Sequence, residues 1–164
     1  MMSVLEICQW LQATDVGTSI RESTLTFPVL EGSHLLGMAF MMAPVMMYDL
    51  RLIGVLWKND PVSKVKWQFL PITFAGAFLM VVTGTLLFWS EPVKCYNSTY
   101  FRIKVVGLFL ATINALVFHL TIDKKTEEWD MTLPPPTRAR TTGYLSLALW
   151  SLVIFAGRYT AYNL

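Results

Sequence analysis

The chain has 164 residues, of which 54% are hydrophobic and 15% charged, with net charge +2 and mean hydropathy +0.49. That balance belongs to a membrane protein and leaves no room for a sizeable soluble domain. With so small a charge, and no basic run interleaved with aromatics, nucleic acid is excluded as a partner.

Residues 1–14 place Val4, Leu5, Cys8 and Leu11, with Trp10, toward one face at helical spacing. The spacing predicts a short helix lying in the membrane interface. These residues are too few and too polar for the apolar stretch of a cleavable signal, so the first span is expected to direct insertion. Asp15 is expected to cap a second short turn through Ile20 to Leu25. Thr26 is expected to cap the first long helix, with Pro28 in its first turn, where a missing N–H costs little.

Residues 27–56 are almost continuously apolar. As a helix they would run about 45 Å, enough for a hydrocarbon core of about 30 Å. They also carry Glu31, His34, Asp49 and Arg51. Ionisable groups inside a span need a partner, a cavity or a cofactor, so these four are the first site candidates. Pro44 is expected to kink the helix near Phe40 and Met41. Met38, Met41, Met42, Met46 and Met47 follow His34. Thioether ligation of copper or of a haem iron is one reading, and adaptable packing the other. Adjacent methionines diverge on a helix and only Met38 stands one turn from His34, which favours packing.

A short loop with a turn at Asp60 and Pro61 leads to the second span, 67–89, bracketed by interfacial Trp67 and Trp89. This span has no ionisable residue. Its Gly76, Thr83, Gly84 and Thr85 permit close helix packing or cofactor approach. The third span, 101–122, contains Lys104, Asn114 and His119. Residues 123–142 form the longest loop and end in a stiff proline run. The fourth span, 143–162, holds Arg158 and Tyr159 near its end. No span alternates with period two, which excludes a β-barrel. The expected fold is all-α: a single four-helix transmembrane domain over 1–164 with a short N-terminal interfacial helix.

The loops on the N-terminal side hold five Lys and Arg residues, against eight on the other. The richer side is expected to be cytoplasmic, with both termini periplasmic. Cys8 and Cys95 then share the periplasmic side, where a disulfide is permitted. The absence of CxxCH excludes covalently attached haem.

Topology converts sequence into depth. His34 stands about 12 Å from the middle of its helix toward the N-terminal side, and His119 a similar distance toward the other. The two are about 20 Å apart in height, so one haem does not bridge them. Thr83, Thr85, Lys104, Arg158 and Tyr159 share the level of His34, with Glu31 one turn above. An imidazole ligand with cations at the rim suits a b-type haem and its propionates, and equally a quinone or another anionic head group, with a bare metal ion a further option. The plain alternative is a His34–Glu31 hydrogen bond with Lys104 and Arg158 snorkelling to the interface. Tyr48, Asp49, Arg51 and Asn114 share the level of His119. Pairing of Asp49 with His119 or with Arg51 would form an inter-helix clamp, or part of a proton path. No Gly-x-Ser-x-Gly, P-loop or dinucleotide-binding glycine pattern occurs.

Glu31-x-x-His34-Leu35-Leu36-Gly37, followed by Asp49-Leu50-Arg51-Leu52-x-Gly54, resembles a bacterial inner-membrane family of unknown function with four spans. Lys104, Asn114, His119, Trp150 and the closing Gly157-Arg158-x-x-Ala161-Tyr162 are similar to it as well. The resemblance implies the topology and no activity. A looser one is to the four-helix haem-binding class that includes HemJ-type protoporphyrinogen oxidases and the CopD copper-resistance membrane domain. In that class a His stands early in the first span, with basic residues and a His later, as do His34, Arg51, Lys104 and His119. The Trp-then-Gly stretch of the HemJ pattern is absent here. This resemblance therefore implies a b-haem on His34 rather than protoporphyrinogen oxidation.

The expected function is a membrane b-type haem protein near the periplasmic face of a bacterial inner membrane, in electron transfer or redox chemistry. His34 would be the axial iron ligand, Lys104 and Arg158 would hold propionates, and Glu31 would tune the site. The alternative is a non-catalytic subunit, within a larger membrane complex or a homo-oligomer. Copper handling through the methionines is a third option.

Overall fold

The computed structural model describes residues 2–162, with no strand among them. Helix α1 (Val4–Gln12) starts on a capping box: the Ser3 hydroxyl accepts from Glu6 N–H, and the Glu6 carboxylate accepts from Ser3 N–H. Cys8 faces the protein and Leu5 and Leu11 are partly covered, but Val4, Ile7 and Trp10 are exposed. Val4 and Trp10 therefore leave the face assigned to them. Helix α2 (Asp15–Glu22) is capped by Thr14, whose hydroxyl accepts from Gly17 N–H at 3.3 Å. Asp15 is the first helical residue instead of the cap, and its charge suits the positive helix start.

Four long helices follow: α3 (Thr26–Ile53), α4 (Val62–Ser90), a third apolar run over Thr99–Trp129, and a last helix over Thr137–Tyr162. Each is long and apolar enough to cross a membrane. Thr26 does not cap α3. Ser23 does that work from outside the helix, its hydroxyl accepting from Thr26 N–H at 3.0 Å. Pro44 lies inside α3 without ending it. Gly54 ends α3 in the left-handed region at φ 88°, where a side chain would be strained. A Cβ there would also stand 3.1 Å from the Pro135 ring.

The short α5 (Pro92–Asn97) links α4 to α6 (Thr99–Val117). The third run continues through a π-helical turn at Phe118–Ile122 and a tight turn at Asp123–Lys125 into α7 (Thr126–Trp129). The last helix is α8 (Thr137–Tyr162). Every span except the first is longer than its apolar stretch. Polar residues at the helix ends satisfy their backbone within the helix as the chain leaves the hydrocarbon, so hydropathy underestimates the length.

The backbones pack in the order α4, α3, α8, α6. Small residues set the closest approaches. A Cβ on Gly76 of α4 would stand 2.5 Å from Met41 N, and one on Gly143 of α8 3.0 Å from Asp49 O. Helix α4 and the third run meet through side chains. Phe88 stacks on Phe101 at 5.8 Å at one end, and Lys66 pairs with Asp123 at 2.5 Å at the other. An apolar cluster of Leu52, Val62, Phe118, Trp129 and Ala139 fills the end of the bundle far from α1.

Cys8 and Cys95 are free thiols on the mutually packed helices α1 and α5, without the disulfide the sequence permitted. Burial pushes the Cys95 thiol up to about 11, and Lys104 offsets this only in part. The reactive species is the thiolate, which the folded protein disfavours. Maleimide labelling of Cys95 in the reduced protein is therefore expected to be slow at pH 8, rising about tenfold per pH unit toward the thiol pKa. Labelling at pH 8 as fast as in denatured protein would contradict this packing.

Candidate functional site

The ionisable residues of α3 separate into two groups at opposite ends of the bundle. At the α1 end, His34 is half-buried between α3 and α4. Its Nδ1 lies 2.9 Å from the hydroxyl of buried Thr83. That hydroxyl donates its own proton to the Leu79 carbonyl at 2.6 Å. The Thr83 oxygen must then accept from His34, so Nδ1 carries the proton. In the neutral ring, Nε2 is left with its lone pair and no hydrogen-bond partner among the described residues. Gly84 makes room for the ring, since a Cβ there would lie 3.0 Å from His34 Cε1.

Lys104 reaches the same level from α6. Its stem crosses α8 beside Gly157, where a Cβ would lie 3.6 Å from the Lys104 Cδ. It is close enough to His34 for its charge to act on the imidazole. No described carboxylate pairs with the Lys104 ammonium. The site thus combines an imidazole lone pair with an uncompensated, half-buried cation.

Two predicted members lie elsewhere. Glu31 is exposed, and His34 takes Thr83 as its partner instead. Arg158 is exposed too, lying over the Tyr162 ring at 4.6 Å and donating to its hydroxyl. Gly157 faces Lys104, so Arg158, one residue on, is turned about 100° away. Tyr159 likewise turns outward and stacks on Tyr100 at 5.2 Å. Thr85 donates to Val81 O on an exposed face. The methionines do not converge: Met42 is buried, Met47 is exposed, and the others lie between. Among the described residues, no group of three His, Cys, Asp or Glu could hold a metal ion.

At the far end, the residues expected to form one polar cluster have separate partners. Arg51 is fully buried. Its Nε and Nη2 donate to Asp60 O at 3.0 and 2.8 Å, and Nη2 also reaches Asp130 O at 3.2 Å. The Asp130 carboxylate accepts from Ser63 N–H at 2.7 Å and from the Ser63 hydroxyl at 2.6 Å, capping the start of α4. Asp49 does not pair with Arg51, because residues two apart on a helix point away from each other. It turns to Ser146 of α8. Its other oxygen and the Tyr48 hydroxyl are buried without a partner among the described residues.

His119 does not reach Asp49 either. Its Nδ1 lies 3.0 Å from Asp123, which also holds Lys66. Asn114 donates to Thr142 O at 3.2 Å, tying α6 to α8. The two histidines are remote: Thr83, which holds His34, and Lys66, which shares Asp123 with His119, stand about 25 Å apart along α4 at 1.5 Å per residue. This end is a structural clamp, built mainly on backbone carbonyls. Asp123, Asp130 and Ser146 were not singled out from the sequence. Only a charge placed near a helix start or a fully apolar face could have flagged them.

These features define a multi-pass membrane protein with a four-helix bundle. Comparison of the chain with protein-family models, curated proteins and solved structures gives no match.

Proposed function

We propose that this chain is a b-type haem protein of a bacterial inner membrane, with both termini periplasmic and the haem near the periplasmic face. One observation carries the reading. Thr83, its own proton committed to Leu79 O, fixes His34 as the tautomer with a free Nε2 lone pair. That is the donor an axial iron ligand requires, held by a second residue in the way ligating histidines are usually held. Lys104 supports the reading as a half-buried cation without a carboxylate, suited to a propionate.

A bound haem would supply one-electron transfer. The chain's own part is to orient the imidazole through Thr83, leave space for it at Gly84, and offer positive charge at Lys104. The surrounding spans exclude water, which lowers the local dielectric and strengthens each of these interactions.

His34→Ala is expected to abolish haem retention. Thr83→Val keeps the side-chain shape but removes the hydrogen bond. It is expected to retain haem more weakly, by about 10-fold, with a shifted midpoint potential. Haem content by pyridine haemochromogen assay and a redox titration check both. Retention of full haem by His34→Ala would reject the assignment of the ligand. A quinone in place of haem would give a flat visible spectrum and an extractable quinone lost in His34→Ala.

A further inference from the structure

A second feature lies on the bundle surface away from His34. Along α6, Arg102, Ile103, Val106, Gly107 and Leu110 share one face, and with Leu152 of α8 they line a cavity of about 270 Å³. Its floor is formed where α6 meets α8. A Cβ on Gly107 would stand 2.8 Å from Val153 Cγ2, so glycine lets the two helices close beneath the slot without displacing that side chain. From Arg102 to Leu110 the slot runs about 12 Å along the helix axis.

The slot is apolar along its length; Arg102 lines one end with its aliphatic stem, and its guanidinium stands beyond that end beside Tyr96. Arg102 stands three residues inside α6, at the edge of the span. Its Nη2 donates to Tyr96 O at 3.0 Å, and its guanidinium lies 5.5 Å from the Tyr96 ring centroid. Those contacts hold the group in place while leaving other N–H donors free. No described carboxylate pairs with it. The volume is below the roughly 300–1,000 Å³ of pockets that enclose drug-sized ligands, which suits a single flexible chain rather than a ring system.

We infer that this groove is a binding site for one lipid with an anionic headgroup. The phosphate lies on Arg102, and one acyl chain follows Ile103, Val106 and Leu110 into the bilayer. Charge complementarity selects the headgroup: a guanidinium at the membrane edge, lacking a protein counter-ion, gains most from a phosphate with net negative charge. The slot selects an amphiphile over a free anion, because most of its lining is apolar.

The test is native mass spectrometry of the full chain in mild detergent, titrated with phosphatidylglycerol or with phosphatidylcholine of the same acyl chains. One phosphatidylglycerol is expected to be retained about 5-fold more tightly than phosphatidylcholine. Arg102→Gln, at an exposed position, is expected to fold and to remove that preference. Val106→Phe, which partly fills the slot, is expected to weaken both lipids. Equal retention of the two lipids by the parent, or an unchanged preference in Arg102→Gln, would overturn the site. Arg21, in the last turn of α2, donates to Gln12 O and Ser90 O; loss of the preference in Arg21→Gln but not in Arg102→Gln would also overturn the site, by placing the lipid at the α1–α2 end.

Discussion

Gly76→Ala is expected to separate α3 from α4 and lower stability by about 3 kcal/mol, at the top of the range for overpacking. The new methyl would stand 2.5 Å from Met41 N, 2.7 Å from Phe40 C and 2.9 Å from Gly37 O. All three are backbone atoms, so no side chain can swing away to relieve the clash. This approach occurs beside the Phe40 carbonyl, which Pro44 deprives of its helical partner four residues on. Sequence punctuation in α3 thus coincides with the point where α4 comes nearest.

Two other glycines make the test specific. Gly32 has nothing within 4 Å of a built Cβ, so Gly32→Ala is expected to be neutral or to stabilise by up to about 1 kcal/mol through helix propensity. Gly84→Ala meets only the His34 ring, which can move, so it should displace the imidazole with little loss of stability. Thermal unfolding of the three variants in detergent checks the order. A Gly76→Ala protein as stable as Gly32→Ala would contradict the packing of α3 on α4.

Arg51→Ala is the second large effect, expected to cost about 3–5 kcal/mol. The guanidinium is wholly buried and bridges the carbonyls of Asp60 and Asp130, which belong to two different connections. Removing it strips the Asp60 carbonyl of both its donors, leaves Asp130 O with Val62 N–H alone, and loosens the segment whose Asp130 caps α4. Arg51→Lys is expected to recover less than half of the loss. A single ammonium cannot reproduce a planar fork that reaches Asp60 O through two nitrogens. Asp130→Ala alone should cost about 1–2 kcal/mol as the loss of a cap. Proteolysis of the connections at 54–61 and 130–136, together with thermal unfolding, checks the clamp. Full recovery by lysine would mean that charge alone matters at this position.

The four spans were legible because apolar length is a sufficient signal for a bilayer crossing. Their ends were less so, since polar first and last turns are helical without being apolar, as at 62–66 and 137–142. Depth was also legible. Counting residues from the helix ends placed Thr83 and Lys104 at the level of His34, where the structure has them. Depth does not give direction around the helix axis. Arg158 shares the level but faces Tyr162, while the neighbouring Gly157 faces Lys104.

The far-end clamp was the least legible part. Arg51 satisfies itself on backbone carbonyls, which every sequence supplies, and its partner Asp130 lies in a connection far along the chain. The expected pairing of Asp49 with Arg51 failed on simple helical geometry. The choice of Asp123 by His119 follows from their being one helical turn apart.

In the proposed reading, His34 presents its Nε2 to a haem iron. The most direct test is the visible spectrum of the protein extracted in mild detergent from haem-sufficient membranes, oxidised and then reduced with dithionite. A Soret band with sharp α and β bands on reduction is expected in the parent, and their loss in His34→Ala. A flat spectrum in the parent, or bands unchanged in His34→Ala, would contradict that reading.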